Sequence, residues 1–183
     1  MKIRAIHSIF TIVILNLFLS SCASDLDYNQ VNDLRLEPVI ISNFAYFDAQ
    51  ANEFVNGGVE QNVFFDAPTV DVFSEKFFTD KLNKVDLFFE VNNTINRSYR
   101  VDLIFLDRNN QPVHFSNFFI PAYSGSENVV RKTEIFQNAA LSLLKRTTKI
   151  NFTLIMFPGP PLSESSLGSL KLRSGVTAYF VVE

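Results

Sequence analysis

The chain has 183 residues, with 16 Lys and Arg against 19 Asp and Glu and a net charge of −3. That is the length of one domain, and nothing basic is clustered in it to meet the phosphates of a nucleic acid. A lone cysteine rules out an internal disulfide, so stability rests on packing, for which 20 phenylalanines supply the material.

From the N-terminus, Lys2 and Arg4 form a short basic start, Ile9 to Leu19 is apolar apart from Thr11 and Asn16, and Ser20 and Ser21 are small exits. These three zones are those of a secretory signal peptide, here residues 1–21. The apolar stretch is shorter than the roughly 18 residues of a membrane span. Leu19-Ser20-Ser21-Cys22 resembles the lipobox of bacterial lipoproteins, with a leucine three residues before the cysteine and a small residue directly before it. The resemblance implies a diacylglycerol thioether on the Cys22 sulfur, cleavage between Ser21 and Cys22, and acylation of the new amino terminus by a fatty acid such as palmitate. Two or more chains, at about 0.8 kcal/mol per buried methylene, hold a protein on a bilayer where one does not.

Lys2 and Arg4 leave with the signal, so 14 basic residues face 19 acidic ones in the remaining 162, a net charge of −5. Residues 22–32 are polar, acidic and aperiodic, and read as a flexible tether. Residues 33–183 are expected to form one domain.

Beyond the tether the dominant period is two. Strands are expected at Leu36 to Ser42, Phe44 to Phe47 and Thr69 to Phe73, and Ser74 to Leu82 fits either a strand or a short helix. In Lys84 to Asn93, Val85, Leu87, Phe89 and Val91 alternate with polar residues, apart from Phe88, and mark a strand with one buried face. Thr94 to Arg97 is hairpin-length and leads into Arg100 to Asp107, with Val101, Leu103 and Phe105 as its inward set. Turn formers at Asp107 to Pro112 precede a strand at Val113 to Ile120. Further strands are expected at Glu127 to Val130, at Thr148 to Phe157 with Ile150, Phe152, Leu154 and Met156 inward, and at Gly175 to Val182 with Val176, Ala178, Phe180 and Val182 inward.

One segment breaks this period. In Thr133 to Arg146, Ile135, Phe136, Ala139, Ala140, Leu143 and Leu144 fall on a helical stripe, with Thr133 placed to cap it and Lys145 and Arg146 suited to its C-terminal end. The expectation is therefore a mainly β protein, an immunoglobulin-like, Greek-key β-sandwich with one amphipathic α-helix at about 133–146. An outer-membrane β-barrel has strands of similar length, but the lipobox, the helix and the irregular connections argue against it.

Residues for catalysis are sparse. His114, in the strand, is the single histidine after residue 21, so no Cys–His dyad, His pair or recognisable Ser–His–acid arrangement is on offer, and there is no nucleophile elbow or phosphate loop. Asp86 and Glu90 share a strand face but stand about 13 Å apart along the backbone, beyond the ~5–9.5 Å of paired catalytic carboxyl groups. No calcium loop, zinc spacing or cofactor motif is present. Asn92, Asn96 and Asn151 match the N-glycosylation pattern, which behind a bacterial anchor reads as chance in an Asn-rich chain. The stretch from Pro158-Gly-Pro-Pro161 to Leu172 reads first as a long surface connection; if the sandwich has a ligand-facing end, this loop is the place to look, with Asn56-Gly57-Gly58 as its neighbour.

The stretches DLRLEPVIISNFAYFDAQANEFV, FEVNNTINRSYRVDLIFLD and TEIFQNAALSLLKRTTKINFTL resemble uncharacterised lipoproteins of Bacteroidota. This implies a Gram-negative envelope and the outer membrane, on its periplasmic face or at the cell surface. Ala23 departs from the aspartate that retains some lipoproteins in the inner membrane, and Asp25 and Asp27, split by Leu26, fall short of an unbroken acidic export run. The expected function is a lipid-anchored, non-enzymatic binding or structural module meeting an envelope protein, glycan or apolar ligand. The alternative is an anchored hydrolase with carboxylates on different strands.

Overall fold

A computed structural model describes residues 35–66, 73 and 75–182. The signal peptide, Ser21 and Cys22, the tether and most of the strand expected at Thr69 to Phe73 lie outside the described residues. Leu36–Val182 forms one compact unit.

The two-residue period produces strands wherever it occurs. Val39–Gln50 (β1) is one strand where two were expected, because the break at Asn43 is a bulge in its pairing and not an end. A 3₁₀ turn at Ala51–Phe54 (η1) leads into a small hairpin, Val55–Asn56 (β2) and Val59–Glu60 (β3), and then Val63–Asp66 (β4). Lys76–Lys81 is a helix (α1), which settles the ambiguous segment. Leu82–Asn93 (β5), Tyr99–Asp107 (β6) and Pro112–Ile120 (β7) follow. The chain ends with Val129–Gln137 (β8), the helix Ala139–Arg146 (α2), Thr147–Met156 (β9) and Ser169–Phe180 (β10).

The long strands form two antiparallel four-stranded sheets, in the orders β1-β10-β5-β8 and β4-β9-β6-β7. The expected mainly β, Greek-key sandwich is thus what the chain builds. An immunoglobulin domain has sheets of four and three strands, whereas this order is that of an eight-stranded jelly roll, the finer assignment within the class. Of these eight strands, β6 and β7 are joined by a hairpin within their sheet, and the other connections cross from one sheet to the other.

The core sits between the sheets. Val85, Leu87, Phe89 and Val91 of β5 are fully buried, as are Leu103 and Phe105 of β6, Ile150 of β9, and Leu170 and Leu172 of β10. Phe44 and Phe89 of one sheet meet Phe152 and Phe118 of the other, with ring centroids 6.0–6.1 Å apart for the Phe89–Phe118 and Phe44–Phe152 pairs. Aromatic pairs in this range add about 0.5–1.5 kcal/mol each to the burial of their area.

Three expectations are corrected. The helix does not span 133–146: its first half is the end of β8, paired to β5 as far as Gln137, and only Ala139–Arg146 is helical. Ile135 therefore points outward and is half exposed, Phe136 points inward, and Asn138, at φ 53°, makes the break that Thr133 was expected to cap. Thr94 to Arg97 does not close a hairpin but carries the chain between sheets, with Ile95 buried beneath it. The long loop ends at Gly168, because Leu170 and Leu172 already alternate inward on β10.

Candidate functional site

The jelly-roll order gathers four connections at one end of the sandwich: β1 to β4, β5 to β6, β7 to β8, and β9 to β10. Backbone hydrogen bonds tie them together, from Ala51 to Gly168, Thr94 to Ser169, Tyr123 to Ile95 and Phe157 to Ser98. The opposite end carries α1, α2 and the point where the chain enters the sandwich. There Leu36 pairs with Val182, Val181 N–H donates to Lys81 O, and the Lys145 ammonium donates to the carbonyls of Thr79 and Leu82.

Two residues shape the loop end. Arg97 is 2% exposed and donates from Nε to Phe157 O (2.9 Å) and from Nη1 to Pro160 O (3.0 Å) and Glu60 Oε1 (2.7 Å). Glu60 Oε1 also accepts from Leu162 N–H at 2.6 Å. The backbone bond from Leu162 and the Arg97 guanidinium hold the Glu60 carboxyl below the usual range. The proline-rich start of the loop is thereby clipped to β3. Gly159 lies where a Cβ would stand 2.9 Å from Arg97 Cδ, so the guanidinium stem occupies the space a side chain would need. Gly168, at φ 105°, has Thr94 O at 2.4 Å from its Cβ position, so only glycine fits the loop's exit.

The two segments singled out in the sequence do meet. Gly58 and Val55 on the hairpin face Leu162, Ser163, Glu164 and Ser165 across an open hollow of about 570 Å³. Its rim is hydroxylic, with Ser163 N–H bonded to Ser166 Oγ (2.8 Å) and Ser163 Oγ to Ser165 Oγ (3.0 Å). Leu167 beside it is 90% exposed. Such a surface offers a partner hydroxyl and backbone hydrogen bonds, the Glu164 carboxylate and apolar contacts from Val55 and Leu162.

The candidate acids are kept apart by bases. Glu90, on the outer face of β5, is bonded to Arg131 (2.8 Å) and Arg173, and these two cations hold its carboxyl below the usual range. Asp86 on the same face is taken by Lys84 (2.9 Å) and the Tyr179 hydroxyl (3.2 Å). Around Glu90, the side chains of Tyr46, Asn92, Lys171 and Arg173 frame a polar hollow of about 330 Å³ on the sheet surface.

His114 reveals a cluster that spacing alone does not show. It lies on β7, the edge strand of one sheet, opposite β8, the edge strand of the other. Glu134 of β8 accepts from the Ser116 hydroxyl and from Lys132 Nζ (3.0 Å), and lies 3.7 Å from His114 Nε2. Burial opposes the Glu134 charge, but these donors outweigh it and hold the carboxyl below its usual range. A serine, a histidine and an acid thus come together, but the carboxylate sits between the other two. The hydroxyl donates to the acid and not to the imidazole, so no base is placed to activate it. The imidazole packs edge-on against Phe105 and Phe136, with centroids 5.1 Å from each, and closes this edge of the core.

Among the described residues, no group of three His, Cys, Asp or Glu is placed to hold a metal ion, and no helix is long and apolar enough to cross a membrane.

No protein-family model matches the chain, and no curated protein matches it significantly. Among solved structures, the VP2 subviral particle of infectious bursal disease virus is similar at 9% identity and a TM-score of 0.44, over 78% of this chain and 32% of that one. A protein of Parabacteroides distasonis described as secreted is similar at 13% identity and a TM-score of 0.44, over 63% and 36%. Desmodium yellow mottle tymovirus gives 12% identity and a TM-score of 0.32, over 81% and 90%. The chain spans about a third of the length of the first two. The class defined by strand order is a jelly-roll sandwich domain.

Proposed function

We propose that this protein is a lipid-anchored module of a bacterial cell envelope that binds or supports a partner without catalysis, held through Cys22 and presenting its four-loop end away from the bilayer. One observation carries the orientation. The chain enters the sandwich at Leu36, at the helix end, while the gathered loops lie at the other end of β1, roughly 40 Å away for a strand of twelve residues. Taken as the tether that its composition indicates, the chain from Cys22 to Leu36 spans about 20 Å on average, half the length of the sandwich. The helix end is therefore the one kept near the membrane, and the hollow between Gly58 and the Ser163–Ser165 rim is the one offered outward.

The reading without catalysis is supported by the charges. Among the described residues, each carboxylate whose proton affinity departs clearly from normal, Glu60, Asp80, Glu90, Asp107 and Glu134, is held in its ionised form by a basic side chain, a backbone N–H or a hydroxyl. A glycosidase-type acid needs the opposite shift. The lipobox and the resemblance to Bacteroidota lipoproteins support the outer membrane as the site.

The test is intact-mass analysis of the N-terminal peptide from envelope fractions, alongside fractionation of a Cys22→Ala variant. The expected result is an acylated Cys22 in the wild type and loss of the variant from the membrane fraction. A free thiol on a soluble product would refute the reading.

A further inference from the structure

The two open edges of the sandwich are closed differently. At the β7/β8 edge, the His114 ring and the Glu134 hydrogen bonds seal the gap between sheets. At the β1/β4 edge the sheets leave an apolar slot of about 210 Å³. Phe47 and Ala49 of β1 form one wall, Phe64 of β4 with Phe152 and Leu154 of β9 the other, and Phe54 of η1 its inner end. Phe54 is 1% exposed and is fixed edge-on to Phe64 at 4.6 Å and against Tyr99 at 5.4 Å, so that end of the slot is rigid. Phe47, Ala49, Phe64 and Phe152 are only partly buried. The space exists because position 49 carries a methyl group where the neighbouring inward position of β1 carries a ring.

We propose that this slot is a binding site for an uncharged apolar group, a single aromatic ring or a short alkyl chain. Size and chemistry both select that class. An apolar cavity of about 150 Å³ lined by Leu, Ile and Phe admits benzene, and pockets for drug-sized molecules begin near 300 Å³, so the slot takes one ring or a few methylenes. Among the described residues no charged side chain lines it, and a ligand charge meeting these side chains would lose water with nothing to replace it. The partly exposed rings are wetted in the free protein, and covering them with an apolar group is the favourable step. The site is distinct from the loop-end hollow and does not depend on the lipid anchor, so either reading stands if the other fails.

The test uses the mature chain with Cys22→Ser, so that neither an acyl chain nor detergent competes. Toluene, 1-hexanol and benzoate are titrated separately while the methyl resonances of Ala49, Val101 and Leu154 are followed by NMR. Toluene and hexanol are expected to give saturable shifts at these methyls, and benzoate none. Ala49→Leu, which fills the slot, is expected to weaken binding at least about tenfold. Leu154→Phe serves the same purpose should the first variant fail to fold. The proposal is overturned by the absence of saturable shifts up to the solubility limit, by equal shifts in the filled variant, or by contacts in the free protein from these methyls to residues 67–72, which would show the slot occupied by the chain itself.

Discussion

Arg97 and Gly168 hold the loop end, and each has a consequence that can be measured. The guanidinium is buried and bonds to two backbone carbonyls as well as Glu60, so Arg97→Met takes this donor from Pro160 O and Phe157 O and leaves the Glu60 carboxylate with the Leu162 N–H but without its cation. Breaking a buried pair by removing one partner costs about 3–5 kcal/mol, and the partly exposed Glu60 side brings the expected loss to the lower end, to be read from denaturant midpoints at constant m. Glu60 also sets a pH signature. Its carboxyl is held below the usual value of 4.5, so its contribution is present above that value and lost as the pH falls through the folded-state value. The melting temperature should therefore decline as the pH is lowered from about 4.5, and less steeply in Glu60→Gln. Gly168→Ala forces a Cβ to 2.4 Å from a carbonyl oxygen at a positive φ, and thermal unfolding should show it to be destabilised by well over 1 kcal/mol. That Arg97 would be a structural centre was not legible in the sequence, since its partners lie 37 to 63 residues away.

At the scale of elements, the strands were readable because alternation in β5, β6 and β9 is long and one-sided. The segment around Ile135 was not. Residues 135, 136, 139, 140, 143 and 144 satisfy a helical stripe, yet Val129–Gln137 gains a full ladder on β5 and carries β-branched residues on both faces. Pairing with a strand some 45 residues earlier is invisible to a local period. The two assignments predict different mutants. Ile135→Lys should change stability by no more than about 0.5 kcal/mol, because the side chain points to solvent, whereas Phe136→Ala should cost about 3–5 kcal/mol. A severe loss from Ile135→Lys in chemical denaturation would restore the helix at 133–146. The start of β10 was missed for a related reason: Pro158 and the serines signal a loop, and the alternation of Leu170 and Leu172 is short until Arg173 and Ser174 extend it.

For the whole molecule, alternation and turn signals pointed to a Greek-key sandwich, and the phenylalanine count to its core, but not to which jelly-roll strands lie side by side. Strand order is a property of long-range pairing, and it places the loops at one end and the chain's point of arrival at the other. Asn56-Gly57-Gly58 and the 158–168 loop meet because β1 and β9 run toward the same end in facing sheets. The orientation proposed here is tested most directly on liposomes carrying the lipidated protein, with a fluorophore on Ser165→Cys or on Glu75→Cys and a spin-labelled lipid as quencher. Strong quenching at residue 75 and little at residue 165 is the result expected for an outward loop end. Equal quenching at both positions, or stronger quenching at residue 165, would contradict it.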